Sequence, residues 1–268
     1  MTGNRLQTLS HHWPEYLMEA ALLALFMMSA CAFTVLIEHP ASPVRQAIAD
    51  QNVRRFLIGV AMGTTAICLI YSPWGRQSGA HFNPSTTLTF WWLGKVRPRD
   101  AAWYVVAQFA GAAVGVLIAR GLLGPRLAHP AAHFAVTMPG SRGAAVAFTA
   151  EAAISFVLMS VILRVSNHPS LARYTGLFAG GLVALYITFE APLSGMSMNP
   201  ARTFGSAIIA GDLKSLWLYF TAPPLGMLAA ASLYVRRRGR DAVFCAKLCH
   251  EQPCLFCDWR RERLGRRA

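Results

Sequence analysis

Two asparagine–proline pairs in this chain stand in nearly the same setting. The first reads Ser78-Gly79-Ala80-His81-Phe82-Asn83-Pro84-Ser85; the second reads Ser194-Gly195-Met196-Ser197-Met198-Asn199-Pro200-Ala201-Arg202. Asn is a good helix N-cap and Pro suits the first helical position, so each pair opens a short helix with its positive dipole end at the Asn. The chemistry on offer is hydrogen-bond donation from two side-chain amides, backed by two helix dipoles and by Arg202 just beyond the second pair. A second cluster lies near the C-terminus: Cys245, Cys249, His250, Cys254 and Cys257. It holds enough thiolate and imidazole for a tetrahedral structural zinc. The competing reading is a set of palmitoylated or idle thiols on a basic tail. Cys31 and Cys68 fall inside apolar runs and read as core. No constellation of nucleophile, base and orienting group suggests an enzyme.

The elements that must position these residues are membrane helices. Hydrophobic residues make up 54% of the chain and charged residues 14%, against about 25% charged in a soluble domain. Residues 56–74, 101–119 and 216–235 carry no charge; residues 16–37 carry only Glu19, and 144–163 only Glu151. A shorter run, 174–189, continues through Glu190 to Pro192. Each approaches the roughly 20 residues that cross a bilayer, which gives six spans. The first apolar run is too long for a secretory signal and lacks a cleavage site, so it is expected to remain as a membrane helix. Two further apolar stretches, 82–94 and 198–210, are too short to span, and these are the ones the Asn-Pro pairs open. They read as re-entrant half-helices. The fold class is therefore all-α membrane protein, with six transmembrane helices and two half-helices.

The chain is also a repeat. Glu19-Ala20-Ala21 near the start of the first span matches Glu151-Ala152-Ala153 in the fourth, and Ala107-Gln108-Phe109-Ala110-Gly111 matches Ala222-Pro223-Pro224-Leu225-Gly226. Three spans per half force the halves, about 14–123 and 144–235, into opposite orientations. The half-helices then enter from opposite faces, and Asn83 meets Asn199 near the midplane, lining a pore. Residues 1–13 read as a leader and 236–268 as a basic, Cys-rich tail. Most of the 25 Lys and Arg residues fall on the side of both termini, which places those termini in the cytoplasm, the chain in the plasma (inner) membrane, and explains the net charge of +13 without nucleic acid. The lipid bilayer is the expected partner of the basic tail. Two helix N-termini at the pore centre repel protons and cations. His81 reads as the wet approach to the first pair, and Arg202 as pore-lining. Glu19 and Glu151 read as braces that accept hydrogen bonds from the amides of the two re-entrant loops. Glu190 has no counterpart in the first half; it stands either at the outer mouth or against the loop before Asn199.

On the double Asn-Pro box, the Asn199-Pro200-Ala201-Arg202 run and the Glu19/Glu151 pair, residues 14–235 resemble the aquaporin, or major intrinsic protein, family. The resemblance implies a homotetramer with one pore per subunit, passing water or small uncharged solutes without a cofactor. It also implies a filter formed by Gly63, Ile187, Met196 and Arg202. Water-selective members resemble one another in having an aromatic residue and a His where this chain has Gly63 and Ile187. That departure implies a wider, less polar aperture of the kind that passes glycerol or neutral metalloid acids, unless Met196 refills it. Ser85 replaces the usual Ala of the first box, a small change. Two other functions fit part of the pattern: a secondary transporter, which also uses inverted repeats and broken helices, and a sensory or structural membrane protein acting through its Cys-rich tail.

Overall fold

The computed structural model describes residues 5–249 and 256, with side chains from residue 12 onward. Among the described residues every regular element is helical. Eight helices carry the architecture: α1 (Arg5–Glu38), α2 (Gln51–Tyr71), α3 (Pro84–Trp92), α4 (Pro98–Leu123), α5 (Ala144–Ser166), α6 (Thr175–Phe189), α7 (Pro200–Ala210) and α8 (Leu216–Arg238). Four precede the 124–143 connection and four follow it, in the same long, long, short, long order.

Helices α1, α2, α4, α5 and α8 are long and apolar enough to cross a membrane. The expected sixth span, α6, has only 15 residues, or about 22 Å at 1.5 Å per residue. It stops at Glu190 because Pro192 has no N–H to give and its ring would meet the carbonyl four residues back. A single turn, Ala191–Ser194, then leads into the second box. At the other end of the chain, α1 begins at Arg5 and runs through Pro14, so part of the stretch read as a leader is helical. Similarly, α8 extends to Arg238, into the stretch read as tail.

The repeat sets the packing. In the first half, a Cβ added to Gly111 of α4 would lie 2.1 Å from the Ala20 carbonyl oxygen of α1. In the second half, a Cβ on Gly226 of α8 would lie 2.2 Å from the Ala152 carbonyl oxygen of α5. Each close crossing therefore uses the residue beside the buried Glu, and only glycine lets the backbones approach that far. The two halves meet along α2 and α6, where Gly59 and Gly63 sit against the carbonyls of Ala184 and Gly180.

The half-helices start as the caps predict. Asn83 Oδ1 accepts from the Ser85 amide at 2.8 Å; Asn199 Oδ1 accepts from the Ala201 amide at 3.1 Å and the Arg202 amide at 3.2 Å. Pro84 and Pro200 each stand in the first turn.

Candidate functional site

Each half-helix is reached through a loop that L-residues resist. Ala80 and Phe82 in the first loop, and Met196 and Met198 in the second, have positive φ. Such a conformation costs about 1–2 kcal/mol per non-glycine residue. A buried carboxylate holds each loop. Glu19 Oε1 accepts from Ser78 Oγ at 2.7 Å and the His81 amide at 3.0 Å; Oε2 accepts from the Phe82 amide at 2.5 Å and Gln108 Nε2 at 2.8 Å. Glu151 Oε1 accepts from Ser194 Oγ at 2.8 Å and the Ser197 amide at 2.6 Å, and Oε2 from the Met198 amide at 2.7 Å.

Two tyrosines complete the pattern. Tyr104 donates its hydroxyl to the Ser78 carbonyl, and Tyr219 donates to the Ser194 carbonyl. Sequence reasoning did not single them out. Their signal was available, since Tyr104 precedes Gly111 by the same interval that separates Tyr219 from Gly226.

The two boxes are tied across the pseudo-two-fold. Asn83 Nδ2 donates to the Met198 carbonyl at 2.8 Å, and Asn199 Nδ2 donates to the Phe82 carbonyl at 2.8 Å. Each amide has a second N–H. Both Asn side chains line a cavity of about 510 Å³ that runs through the centre of the molecule. Its wall is largely apolar, with Phe26, Met62, Ala66, Ile70, Val183 and Ile187 on the long helices. One end is rimmed by Glu38, Gln51 and Arg55.

The four residues expected at the filter separate here. Ile187, Met196 and Arg202 line the cavity. Arg202 Nη1 donates to the Ala135 carbonyl at 2.8 Å, presented by three consecutive positive-φ residues, His133, Phe134 and Ala135. Gly63 does not belong to this wall; its Cβ direction points at the Gly180 carbonyl of α6, 2.6 Å away. The preceding residue, Met62, lines the cavity and is 3% exposed. Counting residues from the box assigned the right turn of α2 but the wrong face, because one residue rotates the helix by about 100°.

His81 lines the cavity, as a residue of the pore approach would, but its ring is buried rather than wet, with Nδ1 against Thr87 Oγ1 at 3.1 Å and Nε2 against the Ala246 carbonyl at 2.7 Å. The tail folds back over it. Glu190 is buried, is not among the cavity-lining residues, and neither of its carboxylate oxygens has a hydrogen-bond partner among the described residues.

Of the five tail residues considered as metal ligands, Cys245 and Cys249 are buried. His250, Cys254 and Cys257 lie outside the described residues. Among the described residues no group of three or more His, Cys, Asp or Glu side chains could hold a metal ion.

Comparison with known proteins bears on the same region. Residues 8–234 match the model of the major intrinsic protein family. The chain is 38% identical over 151 residues to a protein described as a probable aquaporin from Archaeoglobus fulgidus, covering 56% of this chain and 61% of that one. It is 35% identical over 186 residues to a probable aquaporin of NIP type from Nicotiana alata, covering 69% of this chain and 66% of that one. The chain thus spans about half to two thirds of the length of the curated relatives it matches. Among solved structures, the aquaglyceroporin from Plasmodium falciparum superposes with a TM-score of 0.66 at 20% identity, covering 83% of this chain and 95% of that one. At that identity the likeness speaks for the fold.

Proposed function

Because the chain belongs to the major intrinsic protein family, we propose that it forms a passive transmembrane pore for water and small uncharged solutes, closed to protons and ions. The observation that carries this reading is the reciprocal pair of Asn amides on the wall of the central cavity. Each donates one N–H to the opposite loop, which leaves a second to serve a passing oxygen. The converging N-termini of α3 and α7 set a positive potential there that disfavours cations. The family's curated relatives carry aquaporin descriptions, which supports the same class.

The cavity wall combines Met62, Ile187 and Met196 with Arg202 and the Ala135 carbonyl, and this is where we place the filter. One apolar flank facing one polar flank suits a small polyol or a neutral hydroxylated metalloid acid, which has both kinds of surface. A coupled transporter would need a titratable carboxylate in the lumen near the midplane; Glu190, a buried carboxylate without a counterpart in the first half, is not on the cavity wall. The basic residues on the face of the chain ends support both termini in the cytoplasm, with the plasma (inner) membrane as the proposed site. Exposed Trp103, Val106, Val114 and Leu117 give α4 an apolar outer face for lipid or for sibling subunits of a homotetramer. No cofactor enters this mechanism.

The test is stopped-flow light scattering of reconstituted vesicles after osmotic shock, with sucrose and then with glycerol. Shrinkage faster than in empty vesicles, followed by re-swelling in glycerol, is the expected result. Rates no faster than those of empty vesicles, with the tail-release variants described below included, would overturn the channel reading. In those variants, Met62→Ala and Met196→Ala together should raise the glycerol-to-water permeability ratio about tenfold, a barrier change of about 1.4 kcal/mol. An unchanged ratio would move the constriction elsewhere.

A further inference from the structure

The segment after α8 crosses the mouth of the pore at the face that carries the chain ends. It is anchored first on the second half of the molecule, where the Phe244 amide donates to Asn167 Oδ1 at 2.6 Å. It then reaches the first half. The Ala246 carbonyl accepts from His81 Nε2 at 2.7 Å, and the Leu248 amide donates to the Gly79 carbonyl at 3.2 Å. Phe256 lies parallel to the His81 ring, with centroids 5.5 Å apart and planes 3° apart, and edge-on to Tyr104 at 5.8 Å.

This is interior packing. Val243, Cys245, Ala246, Leu248 and Phe256 join the same buried cluster as Ile70, Ala80 and Phe90, and Lys247 is fully buried. Gly79 fits beneath the segment: a Cβ there would lie 2.9 Å from the Phe256 ring. Leu248 belongs to the cavity wall together with Ile70, Ala80, His81, Leu158 and Ile162.

We propose that residues 243–249, clamped by Phe256, are an intramolecular plug whose docking surface is the Gly79–His81 loop, so that the described state is the closed pore. This rests on the channel reading and adds its control. Three features carry it. The segment bonds the loop that delivers Asn83, so docking acts on the first box directly. It ties up His81 Nε2, on a ring that lines the cavity. It also sets an apolar leucine where a permeating molecule would shed its hydration without a polar replacement. None of the close α1–α4, α5–α8 and α2–α6 crossings runs through the segment, so its displacement is a local event that leaves α1–α8 packed.

The test keeps the full chain. Leu248→Glu places a charge on the cavity wall, and Phe256→Ala removes the clamp without touching the wall. Reconstituted in equal amounts, both should shrink in sucrose about tenfold faster than the parent, as releasing a tenfold population bias requires. Lys247 supplies a readout separate from conduction. In the parent it should resist acylation by an impermeant amine-reactive ester added to detergent-solubilised protein, and in either variant it should be labelled, as read by mass spectrometry. Lys247 labelled in the folded parent would overturn the docking. Parent and variants conducting equally fast would overturn the plug while keeping the channel. Variants that expose Lys247 yet conduct no better than empty vesicles would overturn the channel reading and, with it, the idea that the docked segment closes anything. If Leu248→Glu does not fold, Phe256→Ala decides alone.

Discussion

Glu151→Ala should leave little folded protein in the membrane. The carboxylate lies where no water reaches and accepts from Ser194 Oγ and from the Ser197 and Met198 amides. Alanine strands three buried donors. At about 1–3 kcal/mol for each unsatisfied group, the loss is on the order of 5 kcal/mol. Met196 and Met198 also lose what holds them at positive φ. A domain with a stability of about 5–15 kcal/mol does not absorb this easily. Glu19→Ala should match or exceed it, since Glu19 also holds Gln108. Glutamine at either position turns one acceptor into a donor facing other donors, so it should fall between parent and alanine. Monodispersity in detergent and the midpoint of thermal unfolding would measure this. A Glu151→Ala protein with an unchanged midpoint and intact water permeability would refute the bracing role.

Gly111→Val should be as damaging by a different route. Its first added carbon falls 2.1 Å from the Ala20 oxygen, which is backbone and cannot step aside. The α1–α4 crossing must open along its length, and with it the geometry around Glu19. Gly226→Val should do the same to α5 and α8, where the clash is with Ala152 at 2.2 Å. Overpacking of this kind costs about 1–3 kcal/mol in cores that can shift, and more where only backbone faces backbone. Gly121 is the control. It lies on α4 with nothing within 4 Å of its would-be Cβ, so Gly121→Ala should be neutral or stabilise by up to about 1 kcal/mol. Comparable yields of folded protein for Gly111→Val and Gly121→Ala would show that the close approach is dispensable.

Much of this architecture is legible in the sequence because it is written twice. A single Asn-Pro or a single intramembrane Glu has several explanations, but a pair in register has one geometric consequence: two half-helices meeting head to head. What the sequence left unread is what happens only once or depends on rotation. Gly63 and Met62 differ by one step, which counting from the box cannot resolve; only the fit of Gly63 against the Gly180 carbonyl does. The brevity of α6 was visible in the short run 174–189; what the sequence did not decide is that Glu190 and Pro192 end the helix rather than extend the span. The tail was the least legible part. Val243-Phe244-Cys245-Ala246-Lys247-Leu248-Cys249 is short, mixed and aperiodic, and its cysteines suggested metal before they suggested packing. Nothing local in it encodes a docking partner, since the partner is a loop more than a hundred residues away.

The crossed amide bonds have a bearing on origins. Asn83 grips the carbonyl of Met198 while Asn199 grips that of Phe82, the residue in the matching position. Exchange of this form is the signature of an isologous contact, in which two equivalent units present the same patch to each other. A progenitor half this length could therefore have built the same waist as a dimer, on condition that its two copies entered the bilayer in opposite directions. Carrying both halves in one chain removes the need for a chain of ambiguous insertion. Two halves of one chain are also free to differ, as these do where Arg202 follows the second box and Thr86 takes its place in the first.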